Sequence, residues 1–135
     1  MRYFLLLALI ACVSCRKAEY VSFDGQIEYY RDVIPDTIPG YNIYAFFAPN
    51  GFTPNGDGVN DELLVLANGI DNDHFNMTIY NRYGNQVFKT NNVSYGWNGN
   101  QGNTPAPQDL YQVEVSIVDN MGNAHDYVIG VYLAR

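Results

Sequence analysis

The chain reads as an all-β protein built from two packed antiparallel sheets, and three observations carry that reading. Phe75, Met77 and Ile79 alternate with Asn76, Thr78 and Tyr80, and Val113, Val115 and Ile117 alternate with Gln112, Glu114 and Ser116; this is the period of a strand with one face in the core. Clusters of Gly, Pro, Asn and Asp interrupt the chain at short intervals, whereas no stretch holds a capped helical period. Aromatic residues reach 15%, with 12 tyrosines, while charged residues stop at 16%; tyrosine at this density suits half-buried strands.

The 135 residues accommodate one ordinary domain and a short N-terminal extension. Residues 1–15 are expected to be a targeting segment. Arg2 supplies a positive start, residues 4–11 an apolar run too short to span a bilayer, and Arg16-Lys17 the return to polar chain. Cys12 and Cys15 stand at the end of that run, where a lipoprotein signal places the cysteine whose thiol receives diacylglycerol. Leu9-Ile10-Ala11-Cys12 fits that consensus residue by residue, while Cys15 leaves a signal of more usual length and is preferred. The alternative is an ordinary signal peptide cut near Ser14 or Ala18. Either way the mature domain holds no cysteine pair and is expected to fold without a disulfide.

Residues 16–42 are expected to form an irregular tether, with short strands at Tyr20-Val21-Ser22-Phe23 and Ile27-Glu28-Tyr29-Tyr30, broken by Pro35, Pro39 and Gly40. Residues 43–135 are expected to form the sandwich. Strands are expected over 43–47, 62–67, 75–80, 86–90, 111–118 and 126–133, and Asp119-Asn120-Met121-Gly122-Asn123 as a hairpin connection pairs the last two antiparallel. About six to eight strands in this length predict a two-sheet sandwich of immunoglobulin-like type.

The densest signal is the run Pro49-Asn50-Gly51-Phe52-Thr53-Pro54-Asn55-Gly56-Asp57-Gly58-Val59-Asn60-Asp61. Gly56 and Gly58 can take positive φ, the Asn and Asp side chains can bond nearby amides, and Pro49 and Pro54 fix φ at two corners. The segment is expected to be a loop held in one shape. With Ile79-Tyr80-Asn81-Arg82-Tyr83-Gly84, Val87-Phe88, Gly96-Trp97-Asn98-Gly99, Pro107-Gln108-Asp109-Leu110-Tyr111 and Gly130-Val131-Tyr132-Leu133-Ala134-Arg135 following in order, the chain resembles the gliding-motility-associated C-terminal domain. That family is also called the type B sorting domain of type IX secretion, and the resemblance covers residues 44 to 135. Pro54, Asn55, Gly56, Asp57, Gly58, Asn60, Asp61, Asn81, Arg82, Gly84, Trp97, Gly99, Tyr111, Gly130 and Arg135 stand at its motif positions. Where the family commonly has Trp, Asp and Gly, this chain has Tyr83, Asn98 and Asp109-Leu110; the last change bears on a turn that otherwise uses glycine. Asp36-Thr37-Ile38 is similar to an O-glycosylation acceptor used in the same bacterial group, with Thr37 as its candidate, against the reading of an ordinary exposed turn.

Candidates for chemistry are few. His74 and His125 are the only histidines and are expected to face solvent, no Ser sits in a nucleophile elbow, and the mature domain has no thiol nucleophile. No enzyme activity and no cofactor are expected, calcium being the one candidate metal. Asn55, Asp57, Asn60 and Asp61 offer the hard oxygens calcium takes, without EF-hand spacing; the competing reading is that these side chains satisfy turn amides. Arg82 is expected to form a structural ion pair with a carboxylate such as Asp57 or Asp61, or to stack on a ring; the alternative is that with Asn81 and the strand edge it forms a face that the secretion machinery reads. Trp97 is expected in the core with its indole N–H on a loop carbonyl, and Tyr95 and Phe88 are expected in the core beside it. Asn76-Met77-Thr78 and Asn92-Val93-Ser94 match the N-glycosylation sequon by chance composition.

The net charge of -7 argues against nucleic acid as a partner. The resemblance implies a non-enzymatic protein recognised as a folded domain by the type IX secretion machinery, or held by outer-membrane surface proteins, in the cell envelope, at the outer-membrane surface or secreted. Its last strand, with an accessible edge, is the expected handle. The alternative is a lipid-anchored sandwich, a binding or structural module for adhesion, glycan capture or the gliding apparatus, outside type IX export.

Overall fold

Among the described residues, strands account for the regular structure. The computed structural model describes residues 19–22, 28–35 and 42–135, so Cys12, Cys15 and Thr37 lie outside the described residues. In chain order the strands are β1 (Glu19–Ser22), β2 (Glu28–Pro35), β3 (Asn42–Pro49), β4 (Gly51–Phe52), β5 (Leu66–Asn68), β6 (Ile70–Tyr80), β7 (Gln86–Thr90), β8 (Asn100–Gln101), β9 (Thr104–Pro105), β10 (Asp109–Asp119) and β11 (Ala124–Leu133). One sheet has the order β1-β2-β3-β5 and the other β4-β11-β10-β6-β7; β8 and β9 form a small ribbon. β1 and β2 fall within 16–42, and β2 runs antiparallel to β3 from Tyr29↔Pro49 to Pro35↔Asn42.

Alternation decides which face of each strand goes inward. Tyr111, Val113, Val115 and Ile117 of β10 and Tyr127, Ile129, Val131 and Leu133 of β11 are buried, as are Phe75, Met77 and Ile79 of β6. They meet Tyr44, Phe46 and Ala48 of β3 and Ile34 of β2 in one core between the sheets. Each fully buried aliphatic or aromatic side chain contributes about 1.5–3 kcal/mol, which is what holds the two layers face to face. The Phe46 and Tyr127 rings stack across the gap with centroids 4.2 Å apart. Beside them the Tyr127 hydroxyl lies 2.6 Å from that of Tyr44 and donates to Asp32 Oδ2 at 2.8 Å, so the interlayer polar atoms are paired.

Between β3 and β4 the chain changes sheets. At Asn50 it leaves the first layer, and β4 then runs parallel to β11, with Tyr132↔Gly51 and Leu133↔Phe52 as partners. Tyr132 N–H donates to Asn50 O at 2.8 Å and Ala134 N–H to Phe52 O at 3.1 Å. This narrows the expectation of an accessible edge on the last strand without overturning it. The last strand lies between β10 and β4 in the sheet order, although β4 covers only its final residues.

A correction concerns 62–67. Instead of a continuous strand, Leu63 makes a single bridge to Trp97 and β5 begins only at Leu66. The reason is that Leu63 spends its amide and its carbonyl on the Trp97 backbone, at 2.8 and 3.0 Å, while the Leu63 and Val65 side chains both go into the core. Tyr95 is also misplaced by the sequence: it is 63% exposed, because its amide closes a turn onto Asn92 O, and its ring stacks on half-buried Phe88 from outside. His125 is mostly covered rather than solvent-facing, with its ring 4.2 Å from that of Tyr44 and Nε2 3.0 Å from Asp119 Oδ2. His74 does face solvent, 2.8 Å from Asp71.

Candidate functional site

The acidic loop is organised around one carboxylate. Asp61 Oδ1 accepts the amides of Asn55 and Gly56 at 3.0 and 2.7 Å, and Oδ2 accepts that of Gly58 at 2.7 Å. Amide donors, Gly56 and Gly58 foremost, hold the Asp61 carboxyl below the usual carboxylate range. Asp57 accepts from Val59 N–H and from the Asn55 side chain, and Asn55 Oδ1 accepts from Asp57 N–H at 3.0 Å. Closing such a ring requires backbone that only a few residues tolerate: φ is +80° at Gly56, +84° at Gly58 and +53° at Asn60. Every carboxylate oxygen of Asp57 and Asp61 thus accepts a hydrogen, so a cation would compete with donors already in place. Among the described residues no group of three or more His, Cys, Asp or Glu is placed to hold a metal.

The loop leans on the rest of the motif. Phe52 packs on Trp97 with ring centroids 5.5 Å apart, and Trp97 meets Tyr111 edge-on at 4.9 Å. Trp97 is buried, and its indole N–H donates to Asn100 O at 2.8 Å; the Tyr111 hydroxyl donates to Pro107 O at 2.8 Å. Gly99 sits at φ +75°, where an added Cβ would lie 2.8 Å from Pro54 Cγ and 3.1 Å from Leu133 Cδ1. Arg135 closes the arrangement: Nη2 donates to Gly99 O at 2.8 Å, Nη1 to Ala106 O at 2.5 Å, and its amide to Gln108 Oε1 at 3.1 Å. Blocks separated by up to some eighty positions therefore clamp one end of the sandwich.

At the same end, Asn81 Oδ1 accepts the amides of Tyr83 and Asn85, both at 3.0 Å, to close the β6–β7 turn with Gly84 at φ +77°. Arg82 pairs neither with Asp57 nor with Asp61: its Nε donates to Asp109 Oδ2. Asp109, where the resemblance leads one to expect glycine, is the residue that makes this pairing available. The guanidinium keeps the Asp109 carboxyl low, and Asp109 in turn raises Arg82. The pair borders a groove of about 600 Å³ on the outer face of the second sheet, lined by Tyr80, Leu110, Glu114, Val128 and Gly130 among others.

Sequence reasoning missed the hub of the last hairpin at the opposite end. Asp119 is buried, accepts the amides of Met121 and Asn123 at 2.9 Å each, and takes the Asn123 and His125 side chains as well. Those donors hold its carboxyl well below the usual range against the opposing effect of desolvation. An Asp opening a Gly-containing turn was the available signal.

The chain is a small β-sandwich whose dispersed motif blocks close one end and frame a grooved outer face. Residues 46–131 match the family described as the CHU_C type IX secretion signal domain, and the chain belongs to that family. Among curated proteins no significant match was found. Membership implies export to the cell envelope or beyond it, and interaction with the type IX secretion machinery in general.

Proposed function

We propose that this is a non-enzymatic protein of the cell envelope, delivered to the outer-membrane surface or secreted, whose immunoglobulin-like sandwich the type IX machinery reads in its folded state. The observation that carries this reading is the convergence of the Pro54–Asp61 loop, Trp97, Gly99 and Arg135 on one end of the domain. Residues so far apart in sequence meet only after folding, so a receptor that contacts this end selects folded cargo by surface complementarity. In this reading the acidic loop is a shaped turn and binds no calcium, while acylation at Cys15 or Cys12 and glycosylation at Thr37 decide anchoring and decoration. No chemistry is asked of His74 or His125, each of which is held by a carboxylate.

The test is localisation of the epitope-tagged full chain in its own host, with and without a working type IX translocon, together with intact-mass measurement of the mature N-terminus. The proposal expects surface or medium signal that disappears, with periplasmic accumulation, when the translocon is lost. Unchanged localisation of an acylated protein would replace it with a lipid-anchored module exported by another route.

A further inference from the structure

β11 has one edge fully paired and the other nearly bare. Its register with β10 is unbroken from Asp109↔Leu133 to Val118↔Ala124, and Tyr132 and Ala134 send their amides the other way, to Asn50 and Phe52. Since amides alternate along a strand, those of Asp126, Val128 and Gly130 also point away from β10. β4 ends its pairing at Gly51, and no other described strand pairs with β11 on that side. The strand is held rigid from beneath, because Tyr127 is fixed by Asp32, Tyr44 and the stacked Phe46 ring.

The outer face next to this edge is apolar and dented. Val128 is 70% exposed, Leu110 57% and Tyr132 50%, on neighbouring positions, and Gly130 lies between them. A Cβ at Gly130 would meet nothing closer than Leu110 Cδ1 at 3.5 Å, so the dent has room for a side chain. Its charge is one-sided. Glu114 lies opposite Val128, and Asp126 is exposed at the end of the bare edge. Of the cations on this face, Arg82 is engaged by Asp109, and Lys89 is on β7 with β6 and β10 between it and β11.

We propose that the Asp126–Gly130 edge of β11 is a strand-addition site for an extended segment of another protein, with apolar side chains at alternate positions and a lysine or arginine facing Asp126. The incoming strand continues the line of β4, exchanges backbone hydrogen bonds with Val128, and lays one apolar side chain in the dent over Gly130. Backbone pairing supplies affinity and the dent supplies selectivity. The cation answers Asp126 and Glu114 on a molecule of net charge -7. The site deepens the sorting reading by naming what a receptor strand would look like, but its test needs no secretion machinery.

The experiment titrates the purified full-length chain with two synthetic ten-residue peptides, alternating Val and Thr, one ending in Lys and one in Glu, and reads binding and amide hydrogen exchange. The Lys peptide should slow exchange at Val128 and Gly130 by about tenfold or more, and the Glu peptide should bind about tenfold more weakly. Gly130→Val, which the open space tolerates, should fill the dent and abolish binding with the melting temperature unchanged; Asp126→Lys should erase the preference between peptides. Unaltered exchange with both peptides, or full binding by Gly130→Val, would overturn the proposal. So would slow exchange at Val128 and Gly130 before any peptide is added, which would assign the edge to residues 1–41 if independent of protein concentration and to a second copy if not. Peptide binding in a protein whose export ignores the translocon would sink the sorting reading alone.

Discussion

Gly99→Ala tests the clamped end where its packing is tightest. Two contributions add. An alanine held at φ +75° is disfavoured by about 1–2 kcal/mol, and a methyl group 2.8 Å from Pro54 Cγ and 3.1 Å from Leu133 Cδ1 forces shifts that typically cost about 1–3 kcal/mol more. The expected loss is about 2–5 kcal/mol. Gly56→Ala is the internal control: it sits at φ +80° with nothing within 4 Å of the added Cβ, so only the backbone contribution of about 1–2 kcal/mol applies. Urea unfolding of both variants, followed by Trp97 fluorescence, gives the difference directly. Equal losses would refute the claim that Pro54, Gly99 and Leu133 are in close contact, and with it the clamp.

Other consequences follow from single groups. Asp119→Ala should destabilise the last hairpin by about 1–3 kcal/mol through the loss of its hydrogen bonds to the Met121 and Asn123 amides and to the Asn123 and His125 side chains, measured by chemical denaturation. Because the folded Asp119 carboxyl lies below its unfolded value, its contribution is complete above about pH 4 and is lost as the pH falls below that. Asp119→Asn should therefore flatten the acid limb of a stability-against-pH curve; an unchanged limb would show that other carboxylates govern it. Tyr127→Phe should cost about 1–2 kcal/mol by removing the hydroxyl between Tyr44 and Asp32. Burial and those partners raise the Tyr127 phenol, so its contribution holds below about pH 10 and is lost above it, and the variant should show a shallower alkaline fall. Trp97, the only tryptophan and 1% exposed, should emit at short wavelength and resist acrylamide until the domain unfolds.

The parts of the fold that could be read from sequence are those where one face of a strand is wet. In β6 and β10 the alternation of Phe75, Met77, Ile79 and of Val113, Val115, Ile117 gave the strands and their buried faces, although β6 begins earlier, at Ile70, and β11 was read as the hairpin partner of β10. The run 62–67 failed because Leu63 and Val65 enter the core from an irregular segment, and an apolar run alone does not distinguish that from a ladder. The sheet change at Asn50 carries no local signal beyond the Asn50-Gly51 pair. Within the site, Asx bonds spanning two to six residues were foreseeable in kind, since Asn55, Asp57 and Asp61 act on their own neighbourhood. Partnerships across the fold were not: Arg82 finds Asp109 27 positions away, Arg135 finds Gly99 36 away, and Tyr44 finds Tyr127 83 away. These depend on which loops share an end of the sandwich, and that follows from topology.

The central claim, that the folded sandwich is itself the export signal, is tested most directly by transplanting it. Residues 16–135, which keep β1 and β2 of the first sheet, fused behind a reporter that otherwise stays in the periplasm should carry the reporter to the surface or the medium in cells with the type IX translocon and leave it in the periplasm without one. The Gly99→Ala fusion should lose export to the extent that its fold is lost. A reporter that remains periplasmic while the attached sandwich is protease-resistant and folded would contradict the claim.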